Sequence, residues 1–238
     1  MNKCIGILTA LPIEANCCGS GRFARIGSTI RLNPLVVIHI TGMGAEQARI
    51  GARYLAGQKV SALVSWGIAG GLDPKIAPGQ LIIPDKILSD NAAQVFVPDF
   101  ILDQHIYTQL SLKLNPVRCS LLQVTDIVTS TASKQELFNQ YQAAAIDMES
   151  ASIADIAREF AIPFIVIRAI ADHATLSMPH WFNACLDRQK KIIPWKFIRF
   201  LCTYPSTLLS LLHLARSVIL ARRTLTVTAK LTNMKLVQ

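Results

Sequence analysis

The sequence lacks several patterns that would assign it to a common class of protein. Its six cysteines form neither a CxxC pair nor a zinc-ligand spacing, which favours reduced and mostly buried thiols. It has no run of about 18 uncharged apolar residues, because the longest candidate, residues 200–215, is bounded by Arg199 and Arg216 and interrupted by Pro205. Its first residues do not have the pattern of a secretory signal. We therefore expect a cytoplasmic protein without a membrane-spanning helix.

Signatures of bound cofactors are also missing. Gly42 and Gly44 follow a predicted strand, but Gln47 stands where a dinucleotide-binding fingerprint needs its third glycine. His173 and His180 have no further histidine close in sequence, so no metal site is expected. The sequence thus indicates a protein that works without a metal or a dinucleotide.

Acidic residues are absent from the C-terminal segment. All 15 Asp and Glu lie in residues 1–187, and residues 188–238 carry ten of the 24 Lys and Arg. A basic segment is attracted to polyanions such as anionic lipid headgroups or nucleic acid. No interleaving of aromatic and basic residues supports nucleic acid. The remaining alternatives are an amphipathic helix on an anionic membrane and a helix that packs on the domain or across a dimer.

Apolar strands and helices alternate along most of the chain. This alternation is typical of an α/β fold, a central mixed, largely parallel sheet flanked by helices. We expect one main domain, residues 1–187, and a basic helical C-terminal extension, residues 188–238. Strands are predicted at 3–10, 35–40, 61–66, from 80, 119–124, 143–146 and 164–170, and helices at 46–55, 105–114, 134–142, 149–160, 195–201 and 208–223.

Glycine-rich turns are predicted after three strands, at residues 42–44, 67–71 and 78–79. Each alone is compatible with an ordinary tight turn. Three such turns at strand ends favour a crevice that binds a ligand.

Acidic residues lie at the predicted ends of several elements. Glu149 begins a helix, Asp172 follows an apolar strand, and Glu14 follows the first strand. Because the carboxyl ends of parallel strands meet at one edge, these acids can share a site and take different protonation states. The structural alternatives are a helix-start acid for Glu149, a surface helix acid for Glu14, and either a helix cap or a partner of Arg168 for Asp172. Arg168 lies within the apolar strand, which predicts a buried carboxylate beside it.

Several short motifs together resemble the nucleoside phosphorylase and nucleosidase superfamily over residues 3–175. They are residues 6–15, Gly42-Met43-Gly44, Gly67-Ile68-Ala69-Gly70-Gly71 with residues 78–84, Asp147-Met148-Glu149-Ser150 and Arg168-Ala169-Ile170-Ala171-Asp172. Their order and spacing are specific, although each is short. Pro194-Trp195 and residues 211–216 resemble the hopanoid-associated group of this superfamily.

The resemblance implies an enzyme that cleaves the N-glycosidic bond of a purine nucleoside without a cofactor, with residues 1–187 as its catalytic domain. The hopanoid-associated group implies adenosylhopane as substrate, with adenine and a ribosyl or phosphoribosyl hopane as products. Relatives imply a homodimer or larger assembly. The basic segment favours a peripheral position on the inner face of the cytoplasmic membrane. The alternatives are a phosphate-dependent purine nucleoside phosphorylase, a nucleosidase for methylthioadenosine or adenosylhomocysteine, and a nucleoside-binding membrane adapter.

The resemblance also implies roles for individual residues. Asp172 matches the general acid that protonates N7 of the leaving base, and Glu14 matches the base that activates water. Glu149 matches the carboxylate that binds the ribose hydroxyls, and Met148 the side chain under the sugar. In this interpretation Glu149 is ionised and Asp172 is protonated. The other residues expected at the substrate site are Gly70, Ile68, Asp147 and Arg168.

The nucleophile is where the sequence departs from its relatives. Phosphorolytic relatives hold phosphate with arginines and a serine, and this chain has Glu14, Ser65 and Ile68 at the matching positions. An acid there repels a phosphate dianion, so water is favoured as the nucleophile. Inorganic phosphate held by another residue, such as Arg49, is the alternative. Ile68 also replaces a serine of the hydrolytic relatives.

Overall fold

The computed structural model describes residues 4–21, 24–90, 92–179, 181–185, 187 and 193–232. Ten strands form one mixed sheet with helices packed around it, which confirms the predicted α/β fold. The strands are β1 (Ile5–Thr9), β2 (Thr29–Asn33), β3 (Val36–Ile40), β4 (Ala62–Gly71), β5 (Leu81–Ile82), β6 (Lys86–Ser89), β7 (Ala92–Phe96), β8 (Ser120–Gln123), β9 (Ala145–Asp147) and β10 (Phe164–Asp172). The helices are α1 (Pro12–Cys17), α2 (Ala45–Gly57), α3 (Phe100–Ser111), α4 (Thr131–Tyr141), α5 (Ser150–Glu159), α6 (Pro194–Thr203) and α7 (Leu208–Leu231).

The two faces of the sheet bury separate layers of apolar side chains. Successive residues of a strand point to opposite faces. Ile5 and Ile7 of β1 therefore pack with residues of α1, α3 and α7. Leu8 packs on the other face with residues of α2 and α5. Central strands that are covered on both sides read as continuous apolar runs, which is why β1 and β10 are recognisable in the sequence.

Strand β4 organises the centre of the sheet. The sheet order is β2-β3-β1-β4-β9-β8-β6-β7, and β10 pairs with both β4 and β5. One edge of β4 pairs with β1 over residues 62–65 and with β9 only at Gly70 and Gly71. Residues 66–69 are therefore free of strand partners on that edge, and the sheet opens there. The predicted turn at residues 67–71 is wrong, because this segment continues β4 and pairs with β10.

The last helix, α7, packs against the sheet. Helix α7 extends to Leu231, further than predicted, and buries Ala221, Leu225 and Ala229 in the layer that contains β1. Its first turns are more exposed, with Leu209 69% exposed. Among the described residues, no single helix is long and apolar enough to cross a membrane. Helix α6 and residues 205–231 meet that test only together, and they are bent by 106°.

Candidate functional site

A cavity of about 270 Å³ opens where β1, β4, β8, β9 and β10 end. Its size is near the lower end of the roughly 300–1,000 Å³ of small-molecule sites. Seven of the eight residues predicted for the site line it: Glu14, Ile68, Gly70, Asp147, Met148, Glu149 and Asp172. Arg168, by contrast, is buried beneath the cavity wall and does not line it.

Glu14 is buried at the third position of α1 and is not the surface acid of the alternative interpretation. Its Oε2 accepts the N–H groups of Ala10 at 3.0 Å and Leu11 at 2.9 Å, and its Oε1 accepts that of Ile68 at 2.9 Å. Burial raises the pKa of Glu14, while Arg168 and these donors oppose the rise. Since each carboxylate oxygen can accept about two bonds, Oε1 keeps room for one more donor, such as water.

Arg168 lies in the middle of β10 and is bound from one side by Asp147. Its Nε and Nη2 donate to Oδ2 of Asp147 at 3.0 and 2.7 Å, and Nη2 also donates to Oγ of Ser65 at 2.8 Å. Ser150 donates to the same Asp147 oxygen. The predicted buried carboxylate beside Arg168 is therefore confirmed. The partner is Asp147 and not Asp172.

Glu149 directly precedes α5, at the predicted helix start, and faces the cavity, but its side chain makes no capping hydrogen bond to the helix. Its Oε1 accepts the N–H of Gly44 at 2.8 Å, and its Oε2 lies 3.9 Å from Nη2 of Arg168. Gly44 has φ +99°, a conformation that favours glycine and turns this N–H toward the acid. Burial, followed by repulsion from Asp147, raises the pKa of Glu149 to about 7. Burial thus opposes the ionised state that the resemblance implies for Glu149, and that state stays a prediction.

Asp172 is the last residue of β10 and has a partner that sequence reasoning missed. Its Oδ1 accepts the N–H of Gly71 at 3.2 Å, and its Oδ2 accepts from Nζ of Lys134. Burial raises the pKa of Asp172, and the Lys134 ammonium opposes the rise. Lys134 lies in the polar sequence of α4, where nothing in the local pattern marks it as buried.

The remaining wall of the cavity is apolar and comes partly from the C-terminal segment. Leu214 and Val218 of α7 line it together with Met178 and Phe182. None of the described residues that line the cavity is Lys, Arg or His. The site therefore combines a cluster of acids with an apolar surface.

A metal site is not found among the described residues, since no group of three or more His, Cys, Asp or Glu is close enough to hold one. His173 is hydrogen bonded through Nδ1 to Oγ1 of Thr175 at 2.8 Å. His180, the other histidine considered, lies outside the described residues.

Comparison with known families shows which family the chain belongs to. The model of the phosphorylase superfamily matches residues 12–184, which is most of the chain. The chain belongs to the phosphorylase superfamily. The expectation of an enzyme of this superfamily is thereby confirmed, and the finer resemblance to its hopanoid-associated group stays a prediction.

Solved structures share the fold at low sequence identity. The methylthioadenosine/adenosylhomocysteine nucleosidase of Neisseria meningitidis is 16% identical, with a TM-score of 0.68 over 98% of this chain and 100% of that one. The corresponding nucleosidase of Streptococcus pneumoniae is 21% identical, with a TM-score of 0.66 over 95% and 98%. Futalosine hydrolase of Helicobacter pylori is 17% identical, with a TM-score of 0.66 over 97% and 98%. At these identities the likeness is one of fold.

Proposed function

We propose that the protein cleaves the N-glycosidic bond of a purine nucleoside. The observation that carries this proposal is the meeting of Glu14, Glu149 and Asp172 in one partly apolar cavity. Cleavage of this bond leaves positive charge on the ribosyl carbon and excess electrons on the departing base. A site for the reaction therefore needs an acid for the base and carboxylates near the sugar.

Asp172 is the proposed general acid for the base. Protonation of purine N7 makes the base a better leaving group, and this step needs a carboxyl that keeps its proton near neutral pH. The burial that raises the pKa of Asp172 supports this role.

Glu149 is the proposed acceptor for the ribose hydroxyls, with Met148 beneath the sugar. Asp147 and Arg168 then contribute indirectly, because they hold the backbone and the charge around Glu149. Three acids, Glu14, Asp147 and Glu149, surround the single Arg168 cation. The excess negative charge favours a cationic sugar in the transition state.

Glu14 is the proposed base that activates water, next to Ile68 and Gly70 of β4. No cation among the described lining residues is available to hold a phosphate dianion. Arg49, the alternative phosphate ligand, binds Asp155 at 2.9 Å between α2 and α5. Both observations support hydrolysis over phosphorolysis.

Adenosylhopane is the substrate that we propose, and the observations that support it come from the C-terminal segment. Leu214 and Val218 offer an apolar wall for a lipid attached to the nucleoside. Trp195 and Ile198 of α6 are exposed beside the basic residues Lys196 and Arg199, a combination that suits an anionic membrane surface. A second candidate is a soluble nucleoside with a small apolar group, such as methylthioadenosine, for which the same wall is adequate.

The test is release of adenine from adenosylhopane in detergent, with and without phosphate, alongside methylthioadenosine. We expect release from adenosylhopane without phosphate. A strict need for phosphate would contradict hydrolysis, and faster turnover of methylthioadenosine would favour the second candidate. No release from either nucleoside would favour the binding adapter.

A further inference from the structure

Lys134 is the one residue of α4 that is fully buried. Its side chain is 2% exposed, and Nζ donates to Oδ2 of Asp172 and to the carbonyl oxygens of His173 at 3.0 Å and Leu176 at 3.2 Å. An ammonium group has three donors, so all of them are used. The three acceptors therefore satisfy the whole ammonium group.

A buried lysine is costly unless its charge is matched, and an apolar side chain would fill the same space without that cost. The rest of α4 is partly or fully exposed, so packing of this helix does not require a lysine. What Lys134 contributes that an apolar residue could not is a positive charge and a fixed donor at one oxygen of Asp172. Among the other titratable groups, His173, the next residue, also lowers the pKa of Asp172, to a smaller extent.

We propose that Lys134 is a positioning residue that orients Asp172 and sets its acidity for proton transfer to the leaving base. The inference rests on the proposed function. In the step, the O–H bond of Asp172 breaks as the N7–H bond forms, and the electrons of the C1′–N9 bond leave with the base. The oxygen of a water molecule forms the new bond to C1′, and a proton of that water passes to Glu14. Lys134 loses no proton, and its charge stabilises the carboxylate that Asp172 becomes.

Two opposing effects then tune the acid. Burial alone would make Asp172 hold its proton too tightly to release it, and a fully exposed pairing with lysine would ionise it before substrate arrives. With both burial and Lys134 present, the acidity of Asp172 lies between these two extremes. The Gly71 N–H at the other oxygen fixes the carboxyl plane.

The test compares Lys134→Met, Lys134→Arg and the control Gln135→Met, an exposed change on the same helix, in nucleoside turnover against pH. For Lys134→Met we expect kcat to fall by about 10²-fold and KM to change little. Removing the cation raises the pKa of Asp172, so the high-pH limb of kcat should move upward by about one pH unit. Lys134→Arg should keep the limb of the parent protein, and Gln135→Met should behave as the parent.

A purely structural lysine would lower activity and thermal stability without moving the pH limb, and that result would overturn the inference. If Lys134→Met does not fold, Lys134→Arg decides the matter, since a shifted limb with the charge retained would also overturn it. Asp172→Asn separates the two proposals. Full activity in Asp172→Asn would overturn the proposed function itself, whereas an inactive Asp172→Asn with an unshifted Lys134→Met would overturn only the role of Lys134.

Discussion

One guanidinium in this site is surrounded by three carboxylates, and they cannot all ionise at low cost. Arg168 binds Asp147 directly, while Glu14 and Glu149 are held mainly by backbone N–H groups. Asp147 holds the direct ion pair, and Glu149 stands further from the same guanidinium, with its Oε2 3.9 Å from Nη2. Burial, followed by repulsion from Asp147, raises the pKa of Glu149 to about 7.

Glu149 should therefore give the enzyme a pH dependence on the acid side. If ionised Glu149 accepts the ribose hydroxyls, kcat/KM should fall as the pH drops below about 7. Glu149→Gln should lower kcat/KM by about 10²-fold and remove this limb. The control Glu46→Gln, an exposed acid in the first turn of α2, should keep it. A limb that persists in Glu149→Gln would assign the titration to another acid, with Glu14 the nearest choice.

The same shift predicts an opposite trend in stability. The pKa of Glu149 is raised on folding, so the folded state binds this proton more tightly than the unfolded state does. Stability should then increase as the pH falls from about 7 toward the ordinary value of 4.5. Glu149→Gln should unfold at a higher temperature than the parent at pH near 8. Equal unfolding temperatures at that pH would argue against a raised pKa.

The two buried cations of the site, Arg168 and Lys134, differ in how far their surroundings can be predicted from the sequence. Arg168 interrupts an apolar strand, so a buried carboxylate partner could be predicted from that position alone. Lys134 lies among polar residues of α4, and its burial depends on how α4 packs against the end of β10. A contact of this kind between distant segments leaves no periodic signal in either of them.

Among the elements, β4 differs most from its prediction. Residues 67–71 contain three glycines, which suggest a turn, but the backbone stays extended and pairs with β10. Here the glycines allow neighbouring atoms to lie close to the backbone of β4. A Cβ at Gly67 would lie 2.3 Å from Nη1 of Arg168 and 2.4 Å from Oε1 of Glu14. The glycines are visible in the sequence. Why glycine is needed at these positions becomes clear only from the packing of β4 against these side chains.

Gly67→Ala should therefore damage the site more than the fold. The added methyl group must displace the ends of two buried side chains, which misplaces the proposed base Glu14. We expect kcat to fall by about 10²-fold with a smaller loss of thermal stability. Gly57→Ala, at the end of α2 where a Cβ meets nothing within 4 Å, is the matched control and should leave both unchanged. Normal turnover in Gly67→Ala would remove Glu14 from the reaction.

Short strands account for most of the other differences. Strands β2, β6 and β7 and helix α1 were absent from the prediction. β2 and β6 include partly exposed residues and have four to five residues each, too few for a clear period. The long apolar strands and the helices α2, α5 and α7 were predicted within several residues, except at the C-terminal end of α7.

At the scale of the whole molecule, α7 connects the site with the outer surface. Its second half is part of the core, and Leu214 and Val218 reach the cavity. Deleting α7 would therefore disturb the fold and could not isolate a role in membrane binding. The outer face of α7 can be tested separately, because the exposed residues at helical spacing are Leu209, Leu212, Arg216, Ile219 and Arg223.

Leu209→Glu should weaken binding to anionic vesicles without unfolding the protein. Leu209 is 69% exposed, so the change costs little in the folded protein. At a membrane it removes one buried leucine and adds repulsion, and together these should lower binding by at least about tenfold. Leu112→Glu is the matched control, because Leu112 is 84% exposed and directly follows α3, a helix that bonds the far end of α7 through Gln109 and Leu231. Sedimentation with phosphatidylglycerol vesicles measures both variants. Equal binding by the two would mean that this face of α7 does not contact the membrane.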